Sequence, residues 1–329
     1  MSTRYEKFDI LRGFAITAVV LIHITAPLAT DGDIFSIIVN QVSRFAVPVF
    51  FFLSGWGLTM AESFEKSEGY WDFLKARFLS IFPQYVIWNF IYLAYSDVWS
   101  VENFSELLKA FLLGTIYNHL YFVPVILILY VFYPLLLKIS NKTGVLISLF
   151  ITIISQLSDI WIVHEYFYMN RNLFNWIFYF IFGIWFSKNF EDKVQRLQKY
   201  KLPIWIGLAL SMTLVVLTPF LVGEIFDFNL VLASTRPTVI YYSTMLVLFM
   251  IVTPFNHQKF NELFLTLSKY SFYIYLSHYI FVSLWRDFYL KLGWDWNSIL
   301  YVLVTLILIM SISMVVGLLT RRIEKKIKL

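Results

Sequence analysis

The chain has no cysteine. That excludes a disulfide framework, a thiolate nucleophile and any zinc site built on sulfur. Charge is scarce too: 14% of the 329 residues are Asp, Glu, Lys or Arg, against about 25% in an ordinary soluble domain. Internal repeats, low-complexity stretches and loops long enough to fold alone are all missing. What remains is apolar, with 59% hydrophobic and 20% aromatic residues. The net charge of +5 does not point to nucleic acid, because the bases fall in short loops between apolar runs. The first run is too long for a secretory leader, and Pro27 disfavours cleavage around Ala29, so a retained first span is expected.

Ten apolar runs follow, at about 8–29, 35–61, 79–95, 119–137, 144–163, 172–187, 203–222, 237–255, 270–289 and 298–320. A bilayer crossing takes about 20 such residues. The sequence therefore predicts an all-α polytopic membrane protein of about ten transmembrane helices, folded as one domain over residues 1–329. The second run is long, with a kink expected at Pro48. Nineteen of the 26 Lys and Arg fall in one set of alternate segments, five in the other, and Arg12 and Arg44 lie within runs. Such a bias predicts both termini in the cytoplasm and an even number of spans.

The first run holds three ionisable groups, Asp9, Arg12 and His23. Charges in hydrocarbon are costly, by about 2.5 kcal/mol or more, so such groups face the protein interior or water. Three residues separate Asp9 from Arg12 and eleven separate Arg12 from His23. At 3.6 residues per turn all three share one helix face, with His23 roughly 16 Å deeper than Arg12. An ion pair at one membrane surface and a titratable ring near mid-membrane suit a catalytic face. The plainer alternative is an interfacial anchor with a satisfied core histidine.

Other candidates are single residues. Arg44 in the second run reads equally as a snorkelling side chain or as a functional cation. Ser54-Gly55 suits close helix packing better than nucleophilic chemistry. Lys75 and Arg77 lie at the expected cytoplasmic interface, where they suit membrane anchoring or the phosphates of a charged cosubstrate. The segment from Phe104 to Leu113 is amphipathic and suits a surface helix. His119 opens the fourth run on the outer side, as His23 does the outer half of the first. The bases between Lys188 and Lys201 suit anionic headgroups. His278 is mid-run with Tyr275 and Ser271 on its face, a pattern that suits a hydrogen-bonded structural cluster. His164 and His257 fall in loops. No metal site is expected.

Four segments together resemble the acyltransferase 3 family of bacterial integral-membrane acyltransferases. They are Asp9 with Arg12-Gly13 and His23; Val47-Pro-Val-Phe-Phe-Phe-Leu-Ser-Gly55; His119-Leu-Tyr-Phe-Val-Pro124; and Leu267-Ser-Lys-Tyr-Ser-Phe-Tyr-Ile-Tyr-Leu-Ser-His278. Their order and spacing cover nearly the whole chain. There are departures. Ser80 stands where the family often has a second base before the proline, here Pro83; Tyr121 replaces the usual Trp; and Val123 to Leu129 carries no acid.

The resemblance implies a membrane-bound O-acyltransferase of the bacterial cytoplasmic membrane. It would move an acyl group, usually acetyl from cytoplasmic acetyl-CoA, to a hydroxyl of an extracytoplasmic or lipid-linked glycan. Membrane lipids and that glycan are the expected partners, with acetyl-CoA or another acyl-CoA as cosubstrate. His23 is the expected base or acyl carrier, since an imidazole titrates near neutral pH. His119 or Arg44 would stabilise the oxyanion or orient the acceptor. Arg12, Lys75 and Arg77 would hold the donor phosphates, with Asp9, Ser271, Tyr275 and His278 in structural or orienting roles. A transporter or exporter of a glycan, amino acid or other small molecule is the alternative class, since it also buries charge.

Overall fold

The protein is described from a computed structural model over residues 6–95, 104–162, 169–255, 257–295 and 299–327. His164 lies outside the described residues. Every regular element within them is helical. In chain order they are α1 (Glu6–Thr30), α2 (Ile34–Val42), α3 (Ala46–Met60), α4 (Tyr70–Tyr95), α5 (Phe104–Leu113), α6 (Phe122–Val131), α7 (Tyr133–Ile139), α8 (Lys142–Ser158), α9 (Ile177–Ser187), α10 (Phe190–Gln198), α11 (Lys201–Val222), α12 (Phe228–Leu232), α13 (Pro237–Val252), α14 (Gln258–Lys291) and α15 (Ile299–Ile327). Among the described residues five helical stretches are long and apolar enough to cross a membrane: Glu6–Thr30, Ile34–Met60, Lys201–Val222, Phe228–Val252 and Ile299–Lys326. A sixth follows if α6 and α7, bent by 66°, count as one span. The remaining apolar runs also fall on helices, but these are shorter or carry more charge.

The breaks have local causes. A 3-10 turn, Ser43–Phe45, separates α2 from α3. Pro48 lacks the N–H that would bond to the carbonyl four residues back, so the regular ladder fails ahead of the proline. Between α6 and α7 the same logic applies at Pro134, in the first turn of α7. Asp33 starts α2 by accepting the Ser36 backbone N–H at 2.8 Å, a standard N-cap.

Two compact units are present, one around Phe51–Lys193 and the other around Thr3–Phe50 with Val194–Leu329. The first packs α3 residues on α9 with unusual closeness. A Cβ on Gly55 would lie 2.2 Å from the Phe180 carbonyl oxygen, and one on Gly183 would lie 2.1 Å from that of Phe52. Gly55 is thus the close-packing position that its small neighbour suggested. Phe51 stacks on Trp176 at 5.0 Å, and both are fully buried. The segment read as amphipathic is helical, as α5, and no residue of it is buried.

The second unit is organised around α1 and α14. Gly13 carries the contact, since a Cβ there would lie 2.3 Å from the Phe264 carbonyl oxygen. Phe14 stacks on Phe264 at 4.0 Å. Further along both helices His23 meets His278, so α1 and α14 run in the same direction. Tyr273 donates to Glu324 at 2.5 Å and Trp285 to Thr305 at 2.9 Å, which fastens α15 to α14.

Candidate functional site

Because Gly13 lets the backbones approach, side chains on either side of it interlock at two levels. At the N-terminal level Asp9 is buried on α1, accepts a hydrogen bond from Ser268 at 3.2 Å and pairs with Arg12 at 3.4 Å. Arg12 keeps about a third of its side chain exposed (34%), so its guanidinium is oriented by Asp9 yet accessible. A cleft of about 410 Å³ lies beside them, lined by Glu6, Asp9, Leu265, Thr266 and Lys269.

At the deeper level the rings of His23 and His278 lie with centroids 5.0 Å apart. His278 is wholly buried and His23 half-buried. The edge of Tyr279 packs on His23 at 5.1 Å. His278 Nδ1 lies 2.7 Å from the Tyr275 carbonyl and 3.0 Å from that of Ile274. A carbonyl only accepts, so Nδ1 carries the proton and Nε2 keeps the lone pair. Ser271 and Tyr275 are buried on the same helix, and backbone carbonyls fix the tautomer of the ring.

Arg44 sits in the 3-10 turn after α2. Its Nη2 donates to Asn40 Oδ1. Asn40, itself fully buried, donates to the Ile22 carbonyl at 3.1 Å and to Thr25 Oγ1 at 3.0 Å. Arg44 is thereby fastened to the turn of α1 that carries His23. Sequence reasoning did not single out Asn40, Gln41, Ser268 or Arg236. The i, i+4 spacing of Asn40 and Arg44 was the available signal for the first.

His119, Lys75 and Arg77 belong to the other unit. His119 is buried in the turn ahead of α6, with Tyr92 at 5.1 Å and Tyr117 at 6.4 Å. Lys75 is exposed and lines a cleft of about 560 Å³ with Tyr70, Trp71, Leu74, Phe78 and Val131. Arg77 is half-buried one turn before Ser80, whose hydroxyl bonds the Arg77 carbonyl at 2.7 Å. Among the described residues no group of three or more His, Cys, Asp or Glu is placed to hold a metal ion.

The Asp9, Arg12, Gly13 and His23 face lies in a chain whose residues 5–318 match the family model described as an acyltransferase domain. The chain belongs to the acyltransferase 3 family. As a member of that family it is a multi-pass membrane acyltransferase. Its curated relatives include a protein of Staphylococcus aureus strain MSSA476 named "Probable poly-beta-1,6-N-acetyl-D-glucosamine export protein", 25% identical over 94% of this chain and 91% of the relative. Proteins of the same name match from Staphylococcus aureus strain MRSA252, 26% identical over 86% of this chain and 81% of the relative, and from Staphylococcus epidermidis, 24% identical over 94% and 90%. No solved structure matches the chain.

Proposed function

We propose that this acyltransferase moves an acyl group, acetyl in the simplest case, from cytoplasmic acyl-CoA to a hydroxyl of an extracytoplasmic or lipid-linked glycan in the bacterial cytoplasmic membrane. The observation that carries the reading is the His23–His278 pair at 5.0 Å, set about three helical turns beyond an oriented, accessible arginine. With ten spans and both termini cytoplasmic, Arg12 faces the donor side and His23 the acceptor side.

A thioester is already activated, so the acceptor hydroxyl is the group that needs a base. His23 takes the hydroxyl proton as the oxygen attacks the thioester carbonyl. The C–S bond breaks, and CoA leaves as a thiolate that takes up a proton. His278 packs on the His23 ring, with centroids 5.0 Å apart, and positions it. Arg12, held by Asp9, binds donor phosphate. Arg44 orients the acceptor.

The test is binding and hydrolysis of labelled acetyl-CoA by the protein in nanodiscs, beside Arg12→Ala and His23→Ala. Wild type should bind and turn over, Arg12→Ala should lose binding, and His23→Ala should bind without releasing CoA. Turnover retained in His23→Ala would overturn its role. The name of the relatives favours a second reading, glycan export. Movement of glycan across the membrane without consumption of any acyl-CoA would support export and count against transfer.

A further inference from the structure

We infer that Arg44 and Arg236 form a seat for an anionic group on the acceptor, a carboxylate or phosphate held beside the hydroxyl that receives the acyl group. This rests on the acyltransferase reading above and adds the charge class of its acceptor.

The seat is built from two adjacent residues of α2. Asn40 orients Arg44 through its side-chain oxygen. Gln41, also fully buried, gives its Oε1 to Nη2 of Arg236, the residue just before α13. Arg236 Nε donates to the Ala233 carbonyl at 2.9 Å. Arg44 is near enough for its charge to act on both His23 and Arg236. Two guanidiniums and an imidazole therefore share one corner of the helix bundle.

The partners of Arg236 are the observation that matters. They are an amide oxygen and a backbone carbonyl, which orient a guanidinium without neutralising it. Among the described residues Arg236 makes no ion pair, and its buried Nη1 has no hydrogen-bond partner. Beside it Gln41 Nε2, Thr235 Oγ1 and Thr238 Oγ1 are buried and unpartnered as well. A purely structural buried arginine is normally matched by a carboxylate, because an uncompensated buried charge is expensive. Two like charges side by side raise that cost. A carboxylate or phosphate would relieve it, and the planar fork of Arg suits both. Arg44 and Arg236 are each half-buried as whole residues, while Nη1 of Arg236 is itself buried.

Position assigns the anion to the acceptor rather than the donor. Asn40 is bonded to Ile22 and Thr25, so the seat lies level with His23 or beyond it, away from the Asp9–Arg12 end. Donor phosphates belong at the Arg12 end.

The test uses His23→Ala protein in nanodiscs, where transfer cannot complicate binding. Fluorescent oligosaccharides of equal length would be compared: a hexuronate oligomer, a glycerol-phosphate oligomer and a neutral N-acetylhexosamine oligomer. At least one anionic probe should bind tenfold or more tighter than the neutral one, and which of the two does so separates carboxylate from phosphate. Arg236→Gln should erase the preference and Arg236→Lys should keep part of it. Gln41→Glu, which supplies an internal carboxylate, should also erase it even if Arg236→Gln fails to fold. Equal binding of neutral and anionic probes, or a preference that survives Gln41→Glu, would overturn the inference. So would an Arg236-dependent preference for acyl-CoA carrying a terminal carboxylate with none for acceptor charge. Acetyl-CoA hydrolysis by wild type is measured in parallel; its failure would count against the acyltransferase reading, whereas the anion preference is read without it.

Discussion

The imidazole of His278 lies with its centroid 5.0 Å from that of His23, tilted by 47°, and its Nδ1 is tied to two carbonyls of its own helix. One ring of the pair thus has a fixed tautomer and a fixed place.

If His278 positions the His23 ring, His278→Asn should lower kcat for acyl transfer while leaving the affinity for acetyl-CoA unchanged. A positioned acid or base contributes about 10²–10⁴-fold, and a loss of roughly ten- to a hundredfold is expected for the supporting ring. Single-turnover kinetics with labelled donor would read it. A kcat equal to wild type would leave His278 as packing alone.

Gly13→Ala should separate α1 from α14. Its Cβ would lie 2.3 Å from the backbone oxygen of Phe264, which a rotamer change cannot relieve. Overpacking of this kind costs about 1–3 kcal/mol. A Cβ on Gly57, in α3, would meet no atom within 4 Å. Gly57→Ala should therefore be neutral or stabilising by up to about 1 kcal/mol. Thermal unfolding in detergent compares the two, and equal shifts would refute the assigned role of Gly13.

Lys188 follows α9 and donates to Leu137 O at 2.8 Å and to Ser140 Oγ at 2.6 Å. Burial pushes its amine below the ordinary value of 10.5, against the attraction of Glu65. Between the lowered value and 10.5 the unfolded chain binds more protons than the folded one, so this lysine adds stability as pH rises through that window. The advantage of wild type over Lys188→Met should therefore widen as pH rises toward 10.5. Denaturant unfolding across alkaline pH would read it, and a constant gap would show that the amine is not shifted.

The helices were legible because a run of apolar residues needs few neighbours to explain it. The face of α1 was legible for the same reason, since Asp9 and His23 are related by helical spacing, and both meet α14. Arg236 was not legible as part of a site. In sequence it is one base between two apolar runs, and only the fold brings it to Gln41, 195 positions away. The spacing of Ser271, Tyr275 and His278 put them on one face of α14, but it did not show that a histidine in a helix also reaches carbonyls one turn back, and two of these are what Nδ1 meets.

The α1–α14 contact has a consequence for biosynthesis. His23 and His278 are 255 positions apart, and ribosomes add about 5–20 residues per second. On that scale the first helix waits roughly 13–50 s in the bilayer for its partner, with Asp9, Arg12 and His23 already inserted. During that interval its polar face is without Ser268, His278 and Tyr279, groups of α14 that meet it in the finished protein. The face of α1 that carries Asp9 and His23 is thus among the last parts of the molecule to be completed.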